Sequence, residues 1–151
     1  MSASLTNRPR LDVLMATTSY PANSADWKSR FIHELAGSLD RTGQAHVMLW
    51  GPEGQLPGNV ASANSAEDRI WLQRLVDAGG IAHQLRQRPI SGVLSAVGIL
   101  SRLRKACLRS RADLYHANWL QLALGLPDDG CPAYVSVLGS DFGLLRQPGM
   151  T

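Results

Sequence analysis

Three short segments of this chain carry side chains able to do chemistry. In Leu114-Tyr115-His116-Ala117-Asn118-Trp119 an imidazole, a carboxamide and an indole fall within four positions. The histidine could hydrogen-bond a sugar or a phosphate, and the tryptophan could stack on a sugar face. A satisfied core histidine and a packing tryptophan are the structural alternative. In Leu138-Gly139-Ser140-Asp141, Gly139 permits a sharp turn that displays a carboxylate able to accept a proton or bind hydroxyls. An Asx or helix-capping turn competes with that reading. The stretch Thr18 to Arg30 leads into a helix whose free N–H groups and positive dipole end can hold an anion, with Lys28 and Arg30 beside it. The plain alternative is a loop with solvated charges.

These segments need elements to position them. Leu11 to Thr17 is a short apolar run suited to a buried strand, closed by Ser19-Tyr20-Pro21. From Asp26 the pattern becomes helical, with Phe31, Ile32, Leu35 and Leu39 on an arc of roughly 100° and Gly43 as the stop. His46 to Trp50 is a second strand, so the first three elements make a βαβ unit. Glu53 to Ser65 reads as a long surface loop. Ala66 to Ala78 reads as a helix ended by Gly79-Gly80, although Ile70-Trp71-Leu72 could instead open a strand. Ser91 to Arg109 is a further helix with Val93, Ala96, Val97, Leu100, Leu103 and Cys107 on its buried face. Arg102, Lys105 and Arg109 share the opposite face, with Arg104 and Arg111 close by. That basic stripe suits anionic lipid headgroups or plain solvation. Leu114 to Ala117 and Tyr134 to Leu138 are the last strands, joined by a helical stretch near Trp119 to Leu124. Strands alternating with helices predict an α/β, Rossmann-like parallel sheet flanked by helices, with function at the carboxyl ends of the strands.

Composition narrows the class without choosing a ligand. A chain of 151 residues, 44% hydrophobic and 18% charged, suits one packed domain. Residues 1–10 read as a flexible polar lead and 11–151 as the domain. A net charge of +3 selects no partner. Cys107 and Cys131 indicate neither a zinc framework nor a disulfide scaffold, and a cytoplasmic setting is the simpler expectation. Val93 to Leu103 is too short to span a bilayer, so any membrane contact is expected to be peripheral, at the inner face. Basic residues without aromatic interleaving argue against nucleic acid.

Taken in order, Val13-Leu14-Met15-Ala16-Thr17-Thr18-Ser19-Tyr20-Pro21, Arg30-Phe31-Ile32-His33-Glu34-Leu35-Ala36, Gly79-Gly80-Ile81 with Leu85-Arg86, Asp113 to Trp119, and Gly139-Ser140-Asp141 resemble the N-terminal domain of the family 4 glycosyltransferases. These are GT-B enzymes that move a sugar from a nucleotide donor with retention of configuration. The resemblance runs from Leu11 to Gly149. It departs from the family pattern at Ser29, where many members have glycine, at Asn118 in place of the second His of H-A-H-W, and at Leu138 in place of the His of H-G-S-D.

The resemblance implies the acceptor-binding half of a GT-B transferase. It assigns Asp141 a catalytic role, and Tyr20, Arg30, His116, Asn118, Trp119, Gly139 and Ser140 the acceptor, which would be a saccharide or lipid-linked molecule. It sets Lys28 and Ser29 towards the donor phosphates. No metal and no resident cofactor are implied; the nucleotide sugar is a substrate. Transfer would proceed by electrostatic stabilisation of an oxocarbenium-like transition state and of the departing phosphate. A second, nucleotide-binding domain with an E-x7-E segment would be supplied in cis or trans, and the chain is expected to be inactive without it. The competing expectation is a non-catalytic module that holds a phosphorylated or lipid-linked acceptor at a membrane through Arg102, Lys105 and Arg109, all facing solvent together.

Overall fold

The computed structural model describes residues 10–137. The expected flexible lead (residues 1–9), the Gly139-Ser140-Asp141 turn and the end of the last expected strand at Leu138 lie outside the described residues. The elements run β1 (Leu11–Ala16), α1 (Arg30–Arg41), β2 (Ala45–Trp50), β3 (Ala61–Ser62), α2 (Ala66–Asp77), α3 (Gly80–Gln87), α4 (Pro89–Ser110), β4 (Leu114–Asn118), a 3-10 helix (Leu120–Gly125) and β5 (Ala133–Ser136). All five strands are parallel, in the order β3-β2-β1-β4-β5. This is a Rossmann-like α/β fold.

Alternating side chains of the central strands bury on both faces, as a parallel sheet covered by helices requires. On one face Val13, Met15, Val47 and Leu49 meet Ile32 and Ala36 of α1. On the other, Leu14, Ala16, Tyr115 and Ala117 meet Leu72 and Leu75 of α2 and Ile99, Leu103, Ala106 and Cys107 of α4. The chain winds outward from β1 through β2 to β3, then crosses to β4 on β1's other side. The carboxyl ends of β1 and β4 therefore flank the point where the strand order reverses, the usual crevice of such sheets.

Several elements differ from the expectations. Helix α1 begins at Arg30 rather than near Asp26, because Ser29 adopts φ 53° and the Asp26 carboxylate instead takes the Ala22 and Lys28 amides. Helix α2 forms as a helix and not a strand. Its start is fixed by Ser65 and Asp68, whose side chains reciprocally accept each other's backbone N–H. The expected loop after β2 contains β3, which pairs Ala61 and Ser62 with Met48 and Leu49. After Gly79 and Gly80, both at positive φ, the chain starts a new helix, α3, that the sequence reading lacked.

The buried face of α4 is also rotated from the one expected. Gly92, Ile99, Leu103, Ala106 and Cys107 face inward, whereas Val93 and Val97 are exposed. At Gly92 a Cβ atom would come within 2.7 Å of the Leu85 backbone, so α4 crosses α3 in direct backbone contact there. That crossing sets the orientation of α4 and turns its Val93 side away.

Candidate functional site

At the end of β4, Asn118 is fully buried. Its Nδ2 donates to the Ala16 carbonyl at 3.2 Å, which ties the ends of β1 and β4 together. Its Oδ1 has no hydrogen-bond partner among the described residues, and a buried acceptor left unpaired costs about 1–3 kcal/mol. The next residue, Trp119, sits at φ 102° and ψ 134°, a region closed to most L-residues and worth about 1–3 kcal/mol of strain. The Trp119 N–H donates to the Ser136 carbonyl at 3.1 Å, and its ring meets Phe31 edge-on with centroids 6.4 Å apart. Phe31 lies at the start of α1. The rim between β1 and β4 thus joins an orphaned amide oxygen, a strained indole and the first turn of α1.

His116 lies two residues earlier on the same side of β4 and is buried. Its Nε2 shares a 2.9 Å hydrogen bond with Ser136 Oγ, and its ring packs edge-on against Tyr134 at 4.9 Å. Burial lowers its pKa, which favours the neutral ring. The imidazole braces β4 against β5.

The first loop is built just as tightly. Thr17 is buried, with Oγ1 donating to the Ser19 carbonyl at 2.7 Å and accepting the Ser19 N–H. A Cβ at Gly51 would stand 2.6 Å from Thr17 Cγ2, and one at Gly54 would overlap the Pro21 carbonyl, so both positions must be glycine for the loop after β2 to close on it. Tyr20 is buried between these loops, its hydroxyl 3.1 Å from His33 Nδ1 and donating to the Gln55 carbonyl at 3.3 Å. Desolvation pushes its phenol pKa up to about 12.

Beyond Tyr20 the two loops and α1 enclose a cavity of about 300 Å³ lined by Asn23, Asp26, Arg30, His33, Gln55 and Gly58, among others. The backbone N–H bonds from Lys28 and Ala22 hold the Asp26 carboxyl below the usual carboxylate range. Arg30 donates from Nη1 to the Ser24 carbonyl at 3.0 Å and lies 3.7 Å from Glu34. The cavity therefore offers a carboxylate, a guanidinium, an imidazole and amide groups, a set suited to a polyhydroxylated ligand.

The fold brings Arg30 to this cavity and Asn118 and Trp119 to the crevice at the strand reversal, where Phe31, the residue after Arg30, meets the Trp119 ring. Tyr20 reaches the cavity through His33, and His116 lies beneath the rim. Lys28 is exposed at the mouth of α1, and Ser29 is that helix's N-cap without a side-chain capping bond. Gly139, Ser140 and Asp141 lie outside the described residues. Asp26, His33 and Gln55 join the site without having been singled out. Trp27, on the same loop as Asp26, is 80% exposed.

The basic stripe is not a common solvent face. Arg102 and Arg109 both turn onto Asp68, at 3.2 and 3.3 Å, and Arg102 also lies over the Trp71 ring at 5.2 Å. Burial raises the Asp68 pKa, but hydrogen bonds from Ser65, Arg102 and Arg109 outweigh it and the net shift is downward. Lys105 is exposed and Arg109 half-exposed, while Arg102 is more covered. The expectation failed because Asp68, 34 and 41 residues away in sequence, is a buried anion that needs both cations.

No protein-family model, curated protein or solved structure matches the chain. Among the described residues no helix is long and apolar enough to cross a membrane.

Proposed function

We propose that this domain is the acceptor-binding wall of a retaining GT-B glycosyltransferase. The observation that carries the reading is the rim at the strand reversal, where the unpaired Asn118 Oδ1 and the strained Trp119 stand beside the polar cavity of the first loop. Arg30, Asp26 and His33 would hydrogen-bond acceptor hydroxyls, and Trp119 or Trp27 would stack on a sugar face. Tyr20 and His116 are positioning residues, one behind the cavity and one under the rim. Lys28 and the first turn of α1 would face the donor phosphates. Asp141 with Gly139 and Ser140 would complete the acceptor side, as the resemblance implies. The donor wall belongs to a nucleotide-binding domain supplied in cis or trans, so the transfer step needs both.

Protein-observed NMR with simple saccharides and sugar phosphates tests the reading. Shift perturbations are expected at residues 19–33, 55–58 and 116–119, and Arg30→Ala should weaken them. Perturbations confined to other surfaces, or none with any saccharide, would remove the acceptor assignment. Sugar transfer by the purified chain alone would remove the two-wall requirement.

A further inference from the structure

The outward face of α4 has a composition that solvation does not explain. At 3.6 residues per turn, Ile90, Leu94, Val97, Ser101, Arg104 and Leu108 fall on one line, with Val93 and Lys105 on its flanks. All eight are exposed: Ile90 at 81%, Leu94 at 69%, Val97 at 59% and Val93 at 55%. Solvent-facing helix surfaces are ordinarily polar, and four neighbouring aliphatic side chains left open mark a contact surface. Over the following two turns Arg104 on the line and Lys105 on its flank bring in positive charge, before Leu108 ends the line.

Along the segment that carries this helix the charged side chains have one sign. Between Asp77 and Asp113 the chain has seven basic residues, Arg86, Arg88, Arg102, Arg104, Lys105, Arg109 and Arg111, and no Asp or Glu. Arg102 and Arg109 share the single charge of Asp68. Arg104 donates to the Leu126 carbonyl while remaining exposed, and Arg88, Lys105 and Arg111 are exposed. The aliphatic face therefore lies on a helix with cationic side chains at both ends. Its line from residue 90 to 108 spans about 27 Å along the axis.

We propose that the outer face of α4 lies on an anionic phospholipid surface, with Ile90, Val93, Leu94 and Val97 entering the headgroup boundary and Arg104 and Lys105 meeting lipid phosphates. A single exposed helix presents a convex ridge, which suits a deformable, planar surface of opposite charge. This surface shares only Lys105 with the stripe of Arg102, Lys105 and Arg109, and it does not depend on the acceptor assignment.

The test is co-sedimentation of the full chain with vesicles of phosphatidylcholine alone or with about one third phosphatidylglycerol. Binding is expected to the anionic vesicles and to weaken as salt rises. Leu94→Asp with Val97→Asp, and separately Arg104→Glu with Lys105→Glu, should each lower partitioning at least about tenfold. Circular dichroism should show the fold retained, because these side chains are exposed. Mild pairs, Leu94→Ser with Val97→Ser and Arg104→Gln with Lys105→Gln, provide the same readout should the charged pairs unfold the chain. No binding to anionic vesicles, or binding that neither pair alters, would overturn the proposal. So would concentration-dependent self-association abolished by Leu94→Asp, which would assign the face to a second copy.

Discussion

Asp68 and Asn118 are both buried polar side chains, and their surroundings are opposite. Asp68 takes the Ser65 backbone N–H and the Arg102 and Arg109 guanidiniums, and its position caps α2, so nothing in it is left for a ligand. Asn118 makes one bond through Nδ2, leaves Oδ1 unpaired and precedes a residue in a strained conformation. The first arrangement spends its polarity on holding α2 against α4. The second retains an unsatisfied group and backbone strain at the rim, which is where binding sites keep such costs. The two differ in satisfaction and not in burial; because Trp50 Nε1, inside the core, is unpaired too among the described residues, it is the place of Asn118 at the rim that makes its oxygen a candidate for binding.

The largest effect is expected at Asp68. Asp68→Ala removes half of the capping box and strands two guanidiniums, and should cost about 2 kcal/mol in urea unfolding, held to that size because Arg109 is half-exposed and can turn to water. A cost near zero would erase the contrast. Asn118→Leu should change stability by less than about 1 kcal/mol, since it removes an unpaired acceptor along with one bond. The same variant should weaken saccharide binding in the NMR titration. A Leu variant as destabilised as Asp68→Ala would make Asn118 another structural group.

Trp119 offers a sharper, smaller test. Trp119→Gly and Trp119→Ala both lose the ring, but only glycine relieves the positive φ. The Gly variant should therefore be more stable than the Ala variant by about 1 kcal/mol, the reverse of the usual ranking. Equal stabilities in thermal unfolding would mean that the backbone stores no strain there.

The smallest effect is on pH dependence. The folded-state pKa of His116 is lowered, so its neutral form contributes stability that is complete above the unfolded value of about 6.5 and is lost as pH falls below it. Asp68 acts the same way lower down, its contribution present above about 3.9 and lost as pH falls through its depressed folded value. Unfolding free energies measured from neutral to mildly acidic pH should decline, and His116→Gln should flatten that slope. An unchanged slope would remove His116 as its source.

Much of the sheet was legible in the sequence because parallel strands buried on both faces are continuous apolar runs. Leu11 to Thr17, His46 to Trp50 and Leu114 to Ala117 needed no tertiary information. The helix starting after Ser65 was one of two readings the sequence left open, and the Ser65–Asp68 cap within one turn decides it. Strand β3 is two residues long and is a strand only because β2 lies beside it, and α3 starts at the glycines that read as a stop. At the site, the sequence singled out Arg30, Asn118 and Trp119. It missed Asp26, His33 and Gln55, which become neighbours when two loops close over Tyr20.

The sequence by itself determined that β1, β2 and β4 are strands, that helices alternate with them and which loops follow them, because short-range periodicity decides those; β3 and α3 it did not determine. Only the tertiary structure decided which face of α4 is buried, where Arg102 and Arg109 point, and that Asn118 lacks a partner. Each of those outcomes depends on atoms tens of residues away, and a side chain's satisfaction is fixed by what folding brings beside it.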